Sequence, residues 1–524
     1  MKFVVGTIIT ACLGLGILAV KNSESQKIVE QMKMPAYVKA IYSMPVSYDP
    51  IKMNDGASLI FSELVYEGLL RFTEDYGVQP AIAKSWSTSD DGKVLTFKLN
   101  PNAKFHNGEP ITAHDVKVSL SRNVSPESLV YKFYDVIKGA KPYNQGKSKQ
   151  VDGLQVIDDS TIEIHLRKPY PPILYVLAGA TAKVLPAKEL LANENFFAKP
   201  IGSGPFKIQY IEDSKIFLAR FSKYYGNKPK VAEMVLTVMD QKEAMGQASL
   251  GLVHDLSSWP MSGQEKVFDH GQDIDSIVSD TWVIGMNTRK SPFDDLEVRK
   301  LFQQSIDTEK FRTKFYPDAK PAFGYIPPGF PGHKRAAKKH TLLDQAPPKD
   351  LIQIHVPQEL AKSKEMTEFF EEQLKTNGWN VEVLLTKWGK MMKGYNEKSL
   401  QAFLVSMIVD YPDSEFLLNN FESTNTDNFS GIADNEIDQL IKESRKTQDR
   451  VKRQKIQKQL SKRVNELALT VNLFHSRAHY WVHDCVEDFR PNLLAVAYTD
   501  YRKVKFNQEC LERSGQWDNM QAMK

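Results

Sequence analysis

The sequence is short of cysteine, of net charge and of long apolar runs. Three cysteines in 524 residues exclude a disulfide-dense mini-scaffold and leave too few thiolates for a multi-cysteine zinc module. Lys and Arg number 68 against 64 Asp and Glu, a formal net charge of +4. That balance gives no reason to expect nucleic acid as a partner. A mean hydropathy of −0.39 excludes a polytopic membrane protein. Only Phe3 to Val20 is apolar and long enough to span a bilayer. No G-x-x-x-x-G-K-[ST] phosphate loop and no H-E-x-x-H zinc helix occurs, and Gly202-Ser203-Gly204 lacks the spacing of a serine-hydrolase elbow. It reads as a tight turn.

What is present is enough for a large core. Hydrophobic residues make up 42% and aromatics 10%, which excludes a disordered chain, and the length suits about three domains. Lys2, the uncharged run Phe3 to Val20 and the polar exit NSESQK form the pattern of a secretory signal. Residues 1–25 are expected to be a signal peptide or an N-terminal anchor, cleaved near Ser23 or Ser25. Ile9-Thr10-Ala11-Cys12 also resembles the box in which a lipoprotein cysteine is acylated. The remainder is expected outside the cytoplasm, where Cys485 and Cys510 are candidates for a disulfide, two buried thiols being the alternative.

Hairpins dominate the first third. Leu95, Phe97 and Leu99 alternate after the turn pair Asp91-Gly92, and Leu154 and Val156 face Ile162 and Ile164 across Asp158-Asp159. Thr112 is placed to cap a helix with Asp115 in its first turn. Later, helical spacing after Asp295, from Lys362 to Thr376, after Asp434 and from Asp449 to Leu467 alternates with short strand patterns. That mix predicts α/β or mixed α+β lobes. His475, His479 and His483, with Cys485 beyond, share one face at a spacing of four. They are read as satisfied or exposed side chains, a metal site being the alternative. The basic helix beyond Asp449 is read as packed by its apolar stripe with a solvated face, a membrane or polyanion surface being the alternative. Asp410 ends the apolar run FLVSMIVD. It stands either where binding loops lie on an α/β lobe or as a cap for the next helix.

Taken in order, several segments resemble the extracytoplasmic solute-binding proteins of oligopeptide, dipeptide and nickel ABC importers (solute-binding protein family 5). They are YSMPVSYDP, LVYEGLLRF, PAIAKSWSTSDDGKVLTFKLNPNAKFHNGEPITAHDVKVSLSR, PIGSGPFKI, YYGNKP, GMNTRKSPFDDLEVRKLFQQSID, VDYPDSEFL and ADNEIDQLIKES. The resemblance runs from about Tyr42 to Lys505. It implies a two-lobed periplasmic-binding-protein fold, α/β in class, with a hinge and an extra domain inserted in the first lobe. The first lobe would comprise 36–56, 178–280 and 481–524, the inserted domain 57–177 and the second lobe 281–480. The hinge would cross near Asp280 and near Tyr480.

The resemblance also implies a periplasmic monomer that binds a peptide between its lobes and delivers it to ABC permease subunits, without cofactor, metal, nucleic acid or catalysis. A non-peptide solute, such as a metal chelate or a glycan, is the alternative. In the family motif W-x-x-D-Y-x-D-P the first Asp matches Asp410, implied to take the ligand's ammonium, and the Tyr matches Tyr411. Met407 stands where the family has Trp, and Ser414 where it has Pro. Trp388 matches a tryptophan ahead of the motif, implied to line a side-chain pocket. Met44, Pro45 and Val46 match an N-terminal segment that touches ligand, and Trp282 lies at the hinge.

Overall fold

The computed structural model describes residues 36–74, 76–259, 267, 269–336 and 345–508. The leader and Cys510 lie outside the described residues. Tyr37–Ile41 pairs in parallel with Glu233–Val238, which continues antiparallel into Lys215–Arg220 and Phe206–Glu212. Tyr37, Met234, Leu218 and Phe206 share one core with Phe61, Leu64 and Val65 of the helix Gly56–Val65. That helix, expected inside the inserted domain, belongs to the first lobe. Its apolar face covers the first lobe's sheet, and the core of the inserted domain begins only at Leu69 and ends at Val184. The turn at 202–204 locks the two together: Gly204 N donates to Val65 O at 2.9 Å, and a Cβ on Gly202 would stand 1.9 Å from that same oxygen. Glycine is required there by close approach.

The inserted domain is an antiparallel sheet in the order Ala83–Thr88, Val94–Leu99, Thr161–His165, Leu154–Asp158. Phe97, Ile162 and Ile164 point inward onto the helix Ala113–Asn123, whose Val116 and Leu120 are buried. That helix starts where a capping box sets it. Thr112 Oγ1 accepts from Asp115 N at 3.4 Å, and Asp115 Oδ2 accepts from Thr112 N at 2.8 Å.

The second lobe is a six-stranded mixed sheet. Its order is Lys320–Pro321, Thr470–His475, Asp280–Met286, Ala402–Ile408, Ile352–Pro357, Val381–Thr386. Helices cover both faces, so its strands read as continuous apolar runs. Ala402 and Leu404 face Phe302, Phe311 and Phe370 on one side, while Phe403, Val405 and Met407 face Ile437, Ile441 and Leu460 on the other.

Two crossing strands join the lobes. Gly271–Ile277 and Arg477–His483 pair antiparallel in the first lobe and run on into Asp280–Met286 and Thr470–His475 of the second. Tyr480 pairs with Ile274, so the second crossing bends at Ser476, four residues before it. The Asp280 carboxylate gathers this joint, accepting from Ser476 N at 2.8 Å, Ser476 Oγ at 2.7 Å and Ser406 Oγ at 3.0 Å. Beside it, His475 Nδ1 lies 3.0 Å from Asp280 O.

Burial holds His475, and likewise His106 and His254, neutral with pKa values of about 4. All three lie below the unfolded value of about 6.5, so the unfolded chain takes up protons first on acidification. Stability is therefore expected to be complete above pH 6.5 and to fall as pH drops from there to 4, by up to about 3 kcal/mol per imidazole. Urea unfolding at pH 7 and pH 4.5 measures the drop, which His106→Gln is expected to reduce.

Candidate functional site

The strands Ile352–Pro357, Val381–Thr386 and Ala402–Ile408 are parallel and end at one edge of the second lobe. Ligands of open α/β sheets lie beyond that edge. Side chains that a lone lobe would hide are open there: Ile408 is 57% and Trp388 46% exposed, with Leu385 beside them. Trp388 is held by its backbone, whose N–H donates to Glu359 Oε1 at 2.9 Å.

Asp410 follows directly. Its side chain reaches solvent and has no hydrogen-bond or ion-pair partner among the described residues. Surrounding protein nonetheless raises its carboxyl pKa, with Lys132 on the helix Tyr131–Tyr134 of the inserted domain pulling the other way. The carboxylate is thus exposed to solvent, yet near enough to surrounding protein for desolvation to disfavour its charge.

The loop around Asp410 is pinned at four points. Val409 N donates to Ser279 O at 2.9 Å, tying it to the hinge. Tyr411 inserts among inserted-domain residues, its hydroxyl 2.9 Å from that of Tyr170 and its ring stacked on Tyr175. Ser414 Oγ donates to Pro331 O at 2.6 Å. Asp413 is buried and takes both ends of the Arg453 guanidinium, with Gln457 Nε2 donating to the same carboxylate at 2.7 Å. Arg453 also meets Glu415 at 2.9 Å, which in turn holds Arg445 at 2.6 Å. Burial works against the Arg453 cation, but Asp413 and Glu415 outweigh it and raise its pKa.

In the first lobe, the segment after Tyr37–Ile41 is fixed by Ser47 N donating to Ser58 Oγ at 3.2 Å and Tyr66 OH donating to Tyr48 O at 2.8 Å. Val46 is exposed, Met44 half-buried against the first lobe's core, and Pro45 buried.

The sequence-derived residues therefore separate. Asp410, Trp388 and Val46 present free surface. Met407 and Tyr411, expected to contact ligand, are 8% and 7% exposed. Strand alternation turns Met407 inward with Val405 and Phe403, and Tyr411 serves as the plug between second lobe and inserted domain. Trp282 packs against Phe474 and Tyr316 in the second lobe's core, and its Nε1 donates to Ser476 Oγ at the hinge. His479 pairs with Asp273 and His483 with Asp484, while His475 belongs to the hinge joint. Cys485 is buried and disulfide-bonded. Sequence reasoning gave no role to Lys132 or to the pair Asp413–Arg453. The second acid of VDYPDSEF was the available signal, but its partner lies 40 residues on.

Comparison with known proteins agrees with this architecture. The dipeptide-binding protein DppE of Bacillus subtilis is 26% identical over 470 residues, 83% of this chain and 86% of the relative. The dipeptide-binding protein of Escherichia coli is 24% identical over 507 residues, 88% of this chain and 92% of its own. The unliganded open form of MppA, a periplasmic murein tripeptide binding protein, is similar in structure with a TM-score of 0.81 at 20% identity, across 90% of this chain and 97% of MppA. The model of the bacterial extracellular solute-binding proteins, family 5, matches residues 77–429. By that match, which spans more than half its length, the chain belongs to the bacterial extracellular solute-binding proteins, family 5.

Proposed function

We propose that this chain is a receptor that binds peptides between its lobes and hands them to the permease subunits of an ABC importer, without turnover. In this reading it acts in the periplasm as a monomer, released or anchored by its leader. Cys510 is the proposed partner of Cys485. Relatives named for dipeptide binding support peptide as the ligand class. The observation that carries the reading is the carboxylate of Asp410, exposed just beyond the strand Ala402–Ile408 and without a partner among the described residues. An extended peptide offers a sequence-blind row of N–H and C=O groups, and its terminal ammonium supplies the charge-assisted donor that Asp410 lacks. Contacts on both lobes then favour the closed state over the open one.

The raised carboxyl pKa gives the grip a pH dependence. Affinity for a free-amine peptide is expected to fall on acidification through a pKa above the ordinary aspartate value of about 3.9. Calorimetry from pH 7 to pH 4.5 follows this. Native mass spectrometry of protein purified without unfolding tests the ligand class directly. Bound peptides with free amino termini are expected; a chelate or glycan in their place contradicts the proposal.

A further inference from the structure

We infer that the outer face of the helix Arg450–Glu466 is a docking surface for an anionic lipid bilayer. The helix buries Ile456, Leu460 and Val464, and Arg453 and Gln457 on the same side hold the binding loop. The opposite side carries Arg450, Lys452, Lys455 and Lys458, all exposed and in no ion pair among the described residues. Spacings of three keep the lysines in one stripe. The antiparallel neighbour Asn435–Lys446 adds exposed Lys442 and Lys446. Residues 442–466 hold ten Lys or Arg against three acids, whereas the whole chain nets only +4. Four of the ten, Arg445, Arg453, Lys462 and Arg463, are paired with acids, and the other six leave a free cationic surplus on these two helices. Of the acids, Glu466 faces Lys462 at 3.5 Å, Asp449 caps the helix and Glu443 is exposed.

The side-chain chemistry favours a lipid surface over a shaped acidic protein. The free cations are mostly lysines, hydrated point charges on flexible stems that suit a diffuse field of headgroups. Arg453 and Arg463, with the forked geometry a specific carboxylate partner needs, are already engaged by Asp413, Glu415 and Asp434. Val451, 63% exposed amid the charges, adds an apolar contact at the interface.

Co-sedimentation of the full chain with vesicles tests this. Phosphatidylcholine alone is compared with phosphatidylcholine containing phosphatidylglycerol, at low and high salt. The leader is present in every sample, so the readout is the ratio of anionic to neutral binding. The native chain is expected to prefer anionic vesicles, and salt to abolish the preference. K452Q/K455Q/K458Q is expected to weaken it about a hundredfold, at roughly fivefold per lysine, with unchanged peptide binding as the folding control. An unchanged preference in the triple variant overturns the proposal. So does binding to polyglutamate with none to anionic vesicles, which would assign the face to an acidic protein.

Discussion

Asp410→Asn weakens binding of a peptide with a free amino terminus by about ten- to a hundredfold, the 1.5–3 kcal/mol of one charge-assisted bond. The same peptide with an acetylated terminus binds native protein and variant alike, because it offers no ammonium for the carboxylate. Stability is unchanged or slightly higher in the variant. Asp410 has no partner to lose among the described residues, and its charge is disfavoured by its surroundings. A residue that adds nothing to the fold while controlling affinity is what a binding group requires. Isothermal calorimetry with the two peptides, alongside urea unfolding, gives all three readings. Equal loss for both peptides would remove the ammonium assignment.

Arg453→Met has the opposite signature. It strips the counter-charge from Asp413, 3% exposed, and one of two from Glu415, which is 2% exposed and keeps Arg445. Uncompensated buried charge costs about 3–5 kcal/mol, read as a lower urea midpoint for the transition of the second lobe. Affinity falls as well, since Asp413 is one of the four pins of the loop that carries Asp410. Asp413→Asn added to Arg453→Met recovers part of the stability, because the orphaned charge is then gone. A loss below about 1 kcal/mol in the single variant would show that the pair is solvated rather than buried.

Local signals in the sequence located most elements. Thr112, Asp295, Asp434 and Asp449 each cap the helix expected after them, because capping is decided within three residues. Alternation found the strand Val94–Leu99, although its turn is longer than the pair Asp91-Gly92 suggests: Ser89 N donates to Val94 O, so Asp90 to Lys93 form the loop. Asp410 stood out as an acid closing an apolar run, a pattern that suits a binding loop or a helix cap alike, and only the family resemblance gave it an ammonium-binding role.

What failed depended on contacts distant in sequence. Met407 has the composition of a pocket wall, and only the helices packed on that face make it core. Tyr411 lies beside the proposed ligand acid in the motif, yet its partner Tyr170 is 241 residues away and draws it inward. The helix Gly56–Val65 is amphipathic enough for either lobe, and the close approach of Gly202 and Gly204 settles where it packs. Arg453 sits in a run of basic residues that all look alike until Asp413 selects one.

The central claim is that a single carboxylate on the floor of an interlobe cleft grips the positive end of an extended ligand. A crystal structure of the protein with its co-purified ligand tests it most directly. The account predicts an ammonium nitrogen within about 3 Å of Asp410, main-chain bonds along the ligand and contacts from both lobes. A ligand bound elsewhere, with the Asp410 carboxylate facing bulk water, would contradict it.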